Sequence, residues 1–238
     1  KDLSKRRMSS MDYSIESDPY CPKEGRRVTK GDPLDDWLSS QSAKVHRRPK
    51  RLMDVIREAY PIGVPAFIVK TQTDRLGSSG GYAFHLGTPD EVLRRICSWL
   101  LTNGEQAVLA QVVGLLWKRH GREDVALAAL LLANLQDGVE VWARLADVIE
   151  GTSTAEALLL SIEECFRAEH APPSEELLIS WCSMSAAHAH LALLTQHASW
   201  VRSGRPELSS SLKGALQAIP YPDGDSLLGR VRDQMLDS

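Results

Sequence analysis

The stretch VALAALLLANL, residues 125–135, is apolar on every side of any helix it forms. At 100° per residue its valine, alanines and leucines leave no polar stripe, so other elements must cover it around its whole circumference. Two further runs, residues 107–117 and 155–166, are apolar around much of their circumference as well. A four-helix bundle gives each helix a wet face and does not suit three such segments. A stack of helix pairs that share their flanks does.

The punctuation between these runs is helical throughout. Thr88-Pro89-Asp90-Glu91 is a capping box with proline at the first helical position. The helix it opens points Val92, Leu93, Ile96, Trp99 and Leu100 inward and stops at Asn103-Gly104. A second runs to His120, with Gly121 expected as its C-cap and Lys118, Arg119 and His120 in the last turn. Cations there complement the negative end of the helix dipole, so this basic knot needs no ligand. Further helices are expected from Arg122 to Leu135, Val139 to Glu150, Thr154 to His170, Ser174 to Ser183 and Ala187 to Val201, with two more after Pro206 and Gly224. Upstream, Leu52, Val55, Ile56 and Ala59 form a stripe that Tyr60-Pro61 ends. Residues 62–87 read as irregular, with VPAFIV a short strand or a helix start and Gly77–Gly81 a flexible loop. Short turns predict antiparallel neighbours. The spacing from Glu91 to Glu123 to Glu156, 32 and 33 residues, is a helix-pair repeat length, although the side chains between do not recur cleanly.

Charge separates the two ends of the chain. Residues 1–50 carry a net charge of +4 and the remainder −7. A body that repels phosphate on average is a poor default binder of nucleic acid. Residues 1–49 lack apolar periodicity and read as a flexible basic tail, with residues 50–238 as the helical domain. Within the tail, Arg6-Arg7-Met8-Ser9 and Arg26-Arg27-Val28-Thr29 suit a basophilic kinase. KVHRRPKR, residues 44–51 with Arg47 and Arg48 at its centre, resembles a nuclear-import signal or a nucleic-acid arm. DPLDDWL, residues 32–38, is either a docking motif or a first turn packed on the body.

Candidate sites are few. Cys21, Cys97, Cys165 and Cys182 form no C-x-x-C pair, which predicts free thiols in a reducing intracellular compartment, nuclear or cytoplasmic. No run is long enough to span a membrane, and no signal-peptide pattern is visible; the first residue is Lys1, so the natural start is expected upstream. His188 and His190 fall on different helix faces, and His197 lies a heptad beyond His190, so no metal site and no cofactor are expected. Trp99, Trp117, Trp142, Trp181 and Trp200 occur once per helix with leucine stripes, as core fillers do, although indoles also stack on bases. Glu163-Glu164 reads as a wet face. Glu156 reads as a first-turn carboxylate at the positive end of a helix.

The order of features over residues 88–200 resembles the HEAT-like DNA alkylation repair family, the AlkD-type alkylpurine DNA glycosylases. LLWKRHGREDVALAALLLANL (residues 115–135), VWARLADVIEGTSTAEALLLSIEECF (141–166) and LLISWCSMSAAHAHLALL (177–194) carry the likeness. It implies a C-shaped solenoid with a cationic groove, where a carboxylate flanked by tryptophans stabilises the sugar cation as the alkylated base leaves. The position of that carboxylate falls at Glu156, but Ala155 replaces the tryptophan before it. The later tryptophan falls at Ala187 or His188, the DNA-contacting arginine near His190, and the basic closing helix pair is not recognisable after Arg205. The expectation is therefore an all-α, HEAT-like α-solenoid of antiparallel helix pairs with a disordered N-terminal tail, acting as a non-catalytic interaction module for a protein partner. Lys118, Arg119, His190, Trp181, Arg47 and Arg48 are its expected contacts. The alternative is an alkylpurine DNA glycosylase, or a DNA-binding repair protein, with Glu156 as the catalytic group.

Overall fold

The computed structural model describes residues 31–79, 81–149, 154–220 and 226–237. The two kinase-type motifs lie outside the described residues. Among those described there are twelve α-helices, one 3₁₀ turn and no strand. The order is α1 (Pro33–Ser39), the 3₁₀ turn (Ala43–Arg47), α2 (Pro49–Ala59), α3 (Ala66–Ser79), α4 (Asp90–Asn103), α5 (Gln106–Arg119) and α6 (Arg122–Asn134), then α7 (Val141–Val148), α8 (Ala155–Arg167), α9 (Glu175–Met184), α10 (Ala186–Arg202), α11 (Ser210–Gln217) and α12 (Leu227–Leu236).

The helices lie in two rows. In one, α4, α6, α8, α10 and α12 each touch the next. In the other, α2, α5 and α7 touch in turn, as do α9 and α11. Pairs such as α5 with α6 and α9 with α10 join the rows. Glu91, Glu123 and Glu156 are the second residues of α4, α6 and α8, so their spacing is the register of one row.

Helix α6 sits between α4, α5, α7 and α8 and is buried from Glu123 to Ala133, as its apolar circumference demands. Helices α5 and α8 differ from it. Each buries one broad face and leaves an edge uncovered, which on α5 runs through Gln111, Gly114, Leu115 and Lys118.

Two expectations about the N-terminal part are corrected. The folded body begins at Asp32, not residue 50. DPLDDWL is a packed helix: Asp32 caps it through Leu34 N–H at 2.9 Å, and Leu34 and Leu38 are buried. Arg95 of α4 reaches Asp32 and Asp35 at 2.7 Å each and lowers the Asp32 pKa. KVHRRPKR is accordingly a folded corner, the 3₁₀ turn leading into α2, rather than an extended arm. Residues 66–79, read as irregular, form α3. Their β-branched residues and lack of an apolar stripe hid it, because propensity is a weak guide where backbone bonding is satisfied locally.

The α5–α6 corner is built differently from the expected glycine C-cap. His120, not Gly121, takes the left-handed cap conformation, at φ 56°. Gly121 is the N-cap of α6, with an ordinary φ of −72°. It is small because the segment before α4 crosses it. Ala83 N–H donates to His120 O at 2.8 Å, and Arg122 N–H donates to Phe84 O at 2.9 Å. Glu123, fully buried, closes the same segment: its Oε1 accepts from Leu86 and Gly87 N–H at 2.9 Å and from Thr88 N–H at 3.3 Å. Below it, Thr88 Oγ1 donates to Tyr60 O at 3.0 Å rather than forming the expected capping box, since Pro89 is the N-cap of α4 and no side chain caps it, and the Tyr60 hydroxyl donates to Asp124 Oδ1 at 2.9 Å. Burial and the Asp124 carboxylate push the Tyr60 phenol well above its usual range, so its proton stays where it can be donated.

Candidate functional site

Helix α5 supplies one wall of a groove of about 1080 Å³. The cations on its lining come from two places far apart in sequence: Arg47, Arg48, Lys50 and Arg51 where the 3₁₀ turn enters α2, and Lys118 near the end of α5. Packing of α2 on α5 brings them together. The floor is apolar, with Leu115, Pro49 and Val148 against the buried Trp117. Asp147 on α7 is the only carboxylate on the lining among the described residues.

These cations are largely uncompensated. Arg48, Lys50 and Lys118 pair with no carboxylate among the described residues, while Arg47 meets Glu105 at 3.7 Å and Arg51 meets Asp54 at 4.0 Å, all exposed. Exposed pairs of this kind are worth little, so neither arginine is tied down. The first turn of α2 carries no acid, and Arg48 at its N-cap makes no side-chain cap bond. The partial positive charge of that helix end therefore adds to the side chains.

Gly114 lies in the middle of α5 and lines the groove. A Cβ built there meets nothing within 4 Å, so no neighbour in this chain requires glycine. In a helix interior glycine costs about 1 kcal/mol relative to alanine.

The basic knot is divided. Lys118 is exposed on the groove. Arg119 turns away and forms a two-pronged ion pair with the buried Asp124, Nε donating to Oδ2 at 2.5 Å, with its guanidinium 5.3 Å from the Phe84 ring centroid. His120 donates from Nδ1 to Trp117 O at 3.2 Å, and its ring stacks on Tyr82 at 5.7 Å.

Other expected contacts fall elsewhere. Trp181 is fully buried and unavailable to any partner. Trp117, Trp142 and Trp200 are buried too, and the last two donate from their indole nitrogens to Ala171 O at 2.7 Å and Pro206 O at 2.9 Å. His190 is half-buried beside the Pro220 backbone, outside the groove, and burial lowers its pKa. His188 Nδ1 lies 2.7 Å from Ser185 Oγ, and His197 Nε2 lies 3.2 Å from Gln234 Oε1. No cluster of metal-binding side chains occurs among the described residues. Glu164 is buried rather than wet, and it ties α8 to α4 within one row by binding Arg94 at 2.8 Å, besides Arg167 of its own helix.

Glu156 is exposed in the first turn of α8, after the N-cap Thr154, and does not line the groove. Its charge acts on Tyr82, whose hydroxyl is pushed up to about 12, first by burial and then by this carboxylate. Sequence reasoning had named Arg47, Arg48 and Lys118 separately without placing them together, and it missed Gly114 and Asp147. A glycine in mid-helix was the available signal for the first; nothing local marked the second. In comparison with known proteins, the chain matches no family model, no curated protein and no solved structure.

Proposed function

We propose that the chain is a non-catalytic helical-repeat interaction module that holds a protein partner in the groove between α2 and α5. The observation that carries this reading is the groove itself: five exposed cations over an apolar floor, against one carboxylate among the described residues. A protein segment offering both acidic and apolar side chains matches both parts. A nucleic acid matches the rim only, since the one tryptophan at the floor is 4% exposed and presents no face for a base to stack on. An extended polyanion would also meet the acidic remainder of the body once it left the groove. The glycosylase reading asks for a carboxylate facing the bound strand, and Glu156 lies outside the groove.

The test is a photo-crosslinking amino acid at Gln111, exposed on the groove wall, in the full chain expressed in cells. The expected result is crosslinked protein segments rich in Asp and Glu that disappear when Arg48→Glu and Lys118→Glu are introduced together. Crosslinks to nucleic acid, or adducts indifferent to charge reversal, would overturn the proposal. So would release of a methylated purine from duplex DNA that Glu156→Gln abolishes.

A further inference from the structure

Resting on that reading, we infer that the groove takes an acidic amphipathic helix, seated with its closest approach over Gly114. Three features of the groove select this occupant among protein segments.

The first is backbone bonding. The elements that line the groove over its apolar part are α2, α5 and α7, all helices. Along Gln111–Leu115 of α5 the backbone N–H and C=O groups are consumed within the helix, and with no strand among the described residues there is no sheet edge for an extended peptide to join. An extended segment lying on Leu115 and Val148 would leave its own backbone groups facing apolar side chains, at a cost per group comparable to a lost hydrogen bond. A helix arrives with those groups already satisfied.

The second is shape. Two helices pack with axes about 8–10 Å apart, the smaller value where a small residue sits at the crossing. Gly114 provides that residue, flanked by Leu115 and Gln111 on the same uncovered edge of α5. The apolar residues of a visiting helix, spaced i, i+3, i+4 and i+7, match an apolar floor of this width.

The third is charge. Arg47, Arg48, Lys50 and Arg51 stand on one side of the floor and Lys118 on α5. Carboxylates flanking the apolar stripe of the visitor on both sides would each meet cations. Such pairing sets partner choice and association rate more than it adds raw affinity.

The experiment is fluorescence anisotropy on the full chain with three labelled probes of equal charge. One is a peptide of about 16 residues, roughly four turns, with leucines at helical spacing flanked by glutamates. The second has the same composition with leucines at alternate positions. The third is single-stranded DNA. The expected order is the helical probe tightest, becoming helical by circular dichroism on binding, and weakened about tenfold or more by Gly114→Leu and by Arg48→Glu with Lys118→Glu. Gly114→Leu is expected to stay folded, since its first added atom enters open space. Failure of the helical probe to bind, or its indifference to Gly114→Leu, overturns the inference. Equal binding of the strand-patterned probe overturns the helix and leaves a protein-docking groove. Tighter binding of DNA overturns both.

Discussion

Gly121 lies directly against the ring of Phe84: a Cβ on Gly121 would come within 2.1 Å of Phe84 Cζ. The ring cannot retreat freely, because the backbone on either side of it is bonded to the α5–α6 corner through His120 O and Arg122 N–H. The φ of Gly121 is open to any residue, so the constraint is steric alone. Gly121→Ala is therefore expected to destabilise by roughly 1–3 kcal/mol, as overpacking does. Phe84→Ala in the same chain should return part of that loss. A double-mutant cycle by urea unfolding checks it, and strictly additive changes would remove the contact as the cause.

Glu123→Ala should loosen the same segment from below. It strips three backbone N–H groups of their acceptor, that of Thr88 buried and those of Leu86 and Gly87 partly so. A buried donor left unsatisfied costs about 1–3 kcal/mol, so a loss of about 3 kcal/mol or more is expected. Hydrogen exchange should report it locally, with the amides of Leu86, Gly87 and Thr88 accelerated ahead of those in α6. Unchanged protection at these three amides would contradict the assignment.

Gly114→Ala should do the opposite. The added methyl meets no atom within 4 Å and removes a helix-interior glycine. Thermal unfolding should show a gain of about 0.5–1 kcal/mol. A loss would mean that the groove is filled by the chain itself.

Acid should weaken the fold before its carboxylates titrate. His46, His85 and His190 are each held below the ordinary imidazole value, first by burial. His46 rests on Trp99 with ring centroids 4.5 Å apart, and its Nδ1 has no partner. Glu123 beside His85 and the Pro220 backbone beside His190 oppose the shift without reversing it. The unfolded chain thus takes up these protons at a higher pH than the folded one. Stability from the neutral rings is complete above the unfolded pKa of about 6.5 and is lost as the pH falls through it. The melting temperature should drop between about pH 7.5 and 5.5, with a shallower slope in His46→Phe. Asp32 and Glu176, held low, add their losses only in the carboxylate range. A flat profile above pH 5.5 would refute the histidine origin.

Cysteine chemistry should follow burial. The Cys97 and Cys165 thiols are pushed up to about 12 by desolvation, whereas Cys182 is half-buried and also raised by desolvation. At pH 8 the thiolate fraction of the first two is on the order of one in ten thousand. Iodoacetamide labelling read by peptide mass should therefore reach Cys182 before either, and reach Cys97 and Cys165 at the rate of unfolding. Rapid labelling of Cys97 in the folded chain would show that α4 opens locally.

Much of this fold is legible in the sequence. Ser174 and Thr154 cap helices where a short hydroxyl precedes an apolar run, and their side chains accept from Leu177 and Ala157 N–H as that position dictates. The all-apolar run of α6 predicted its burial, and the tryptophan-leucine stripes predicted core indoles, which four of the five are while Trp99 is partly buried. The corner between α5 and α6 was located to the residue but assigned to the wrong one. Glycine is the usual left-handed cap, yet here the crossing of Phe84 claims Gly121, and His120 takes the strained position.

Local spacing located most helices and their greasy stripes, because capping and periodicity act within a turn or two of chain, but it missed α3 and the cap at the α5–α6 corner. Tertiary packing alone decided which edge of α5 stays open. From sequence, the run 107–117 is apolar around much of its circumference and shows no open edge; α2 and α6 cover the other faces of α5 and leave Gly114 and Leu115 beside Arg48 and Lys50, more than sixty residues upstream. The same packing sent Lys118 to the groove and Arg119 to Asp124, since neighbours on a helix point about 100° apart and only the surrounding helices determine what each direction meets.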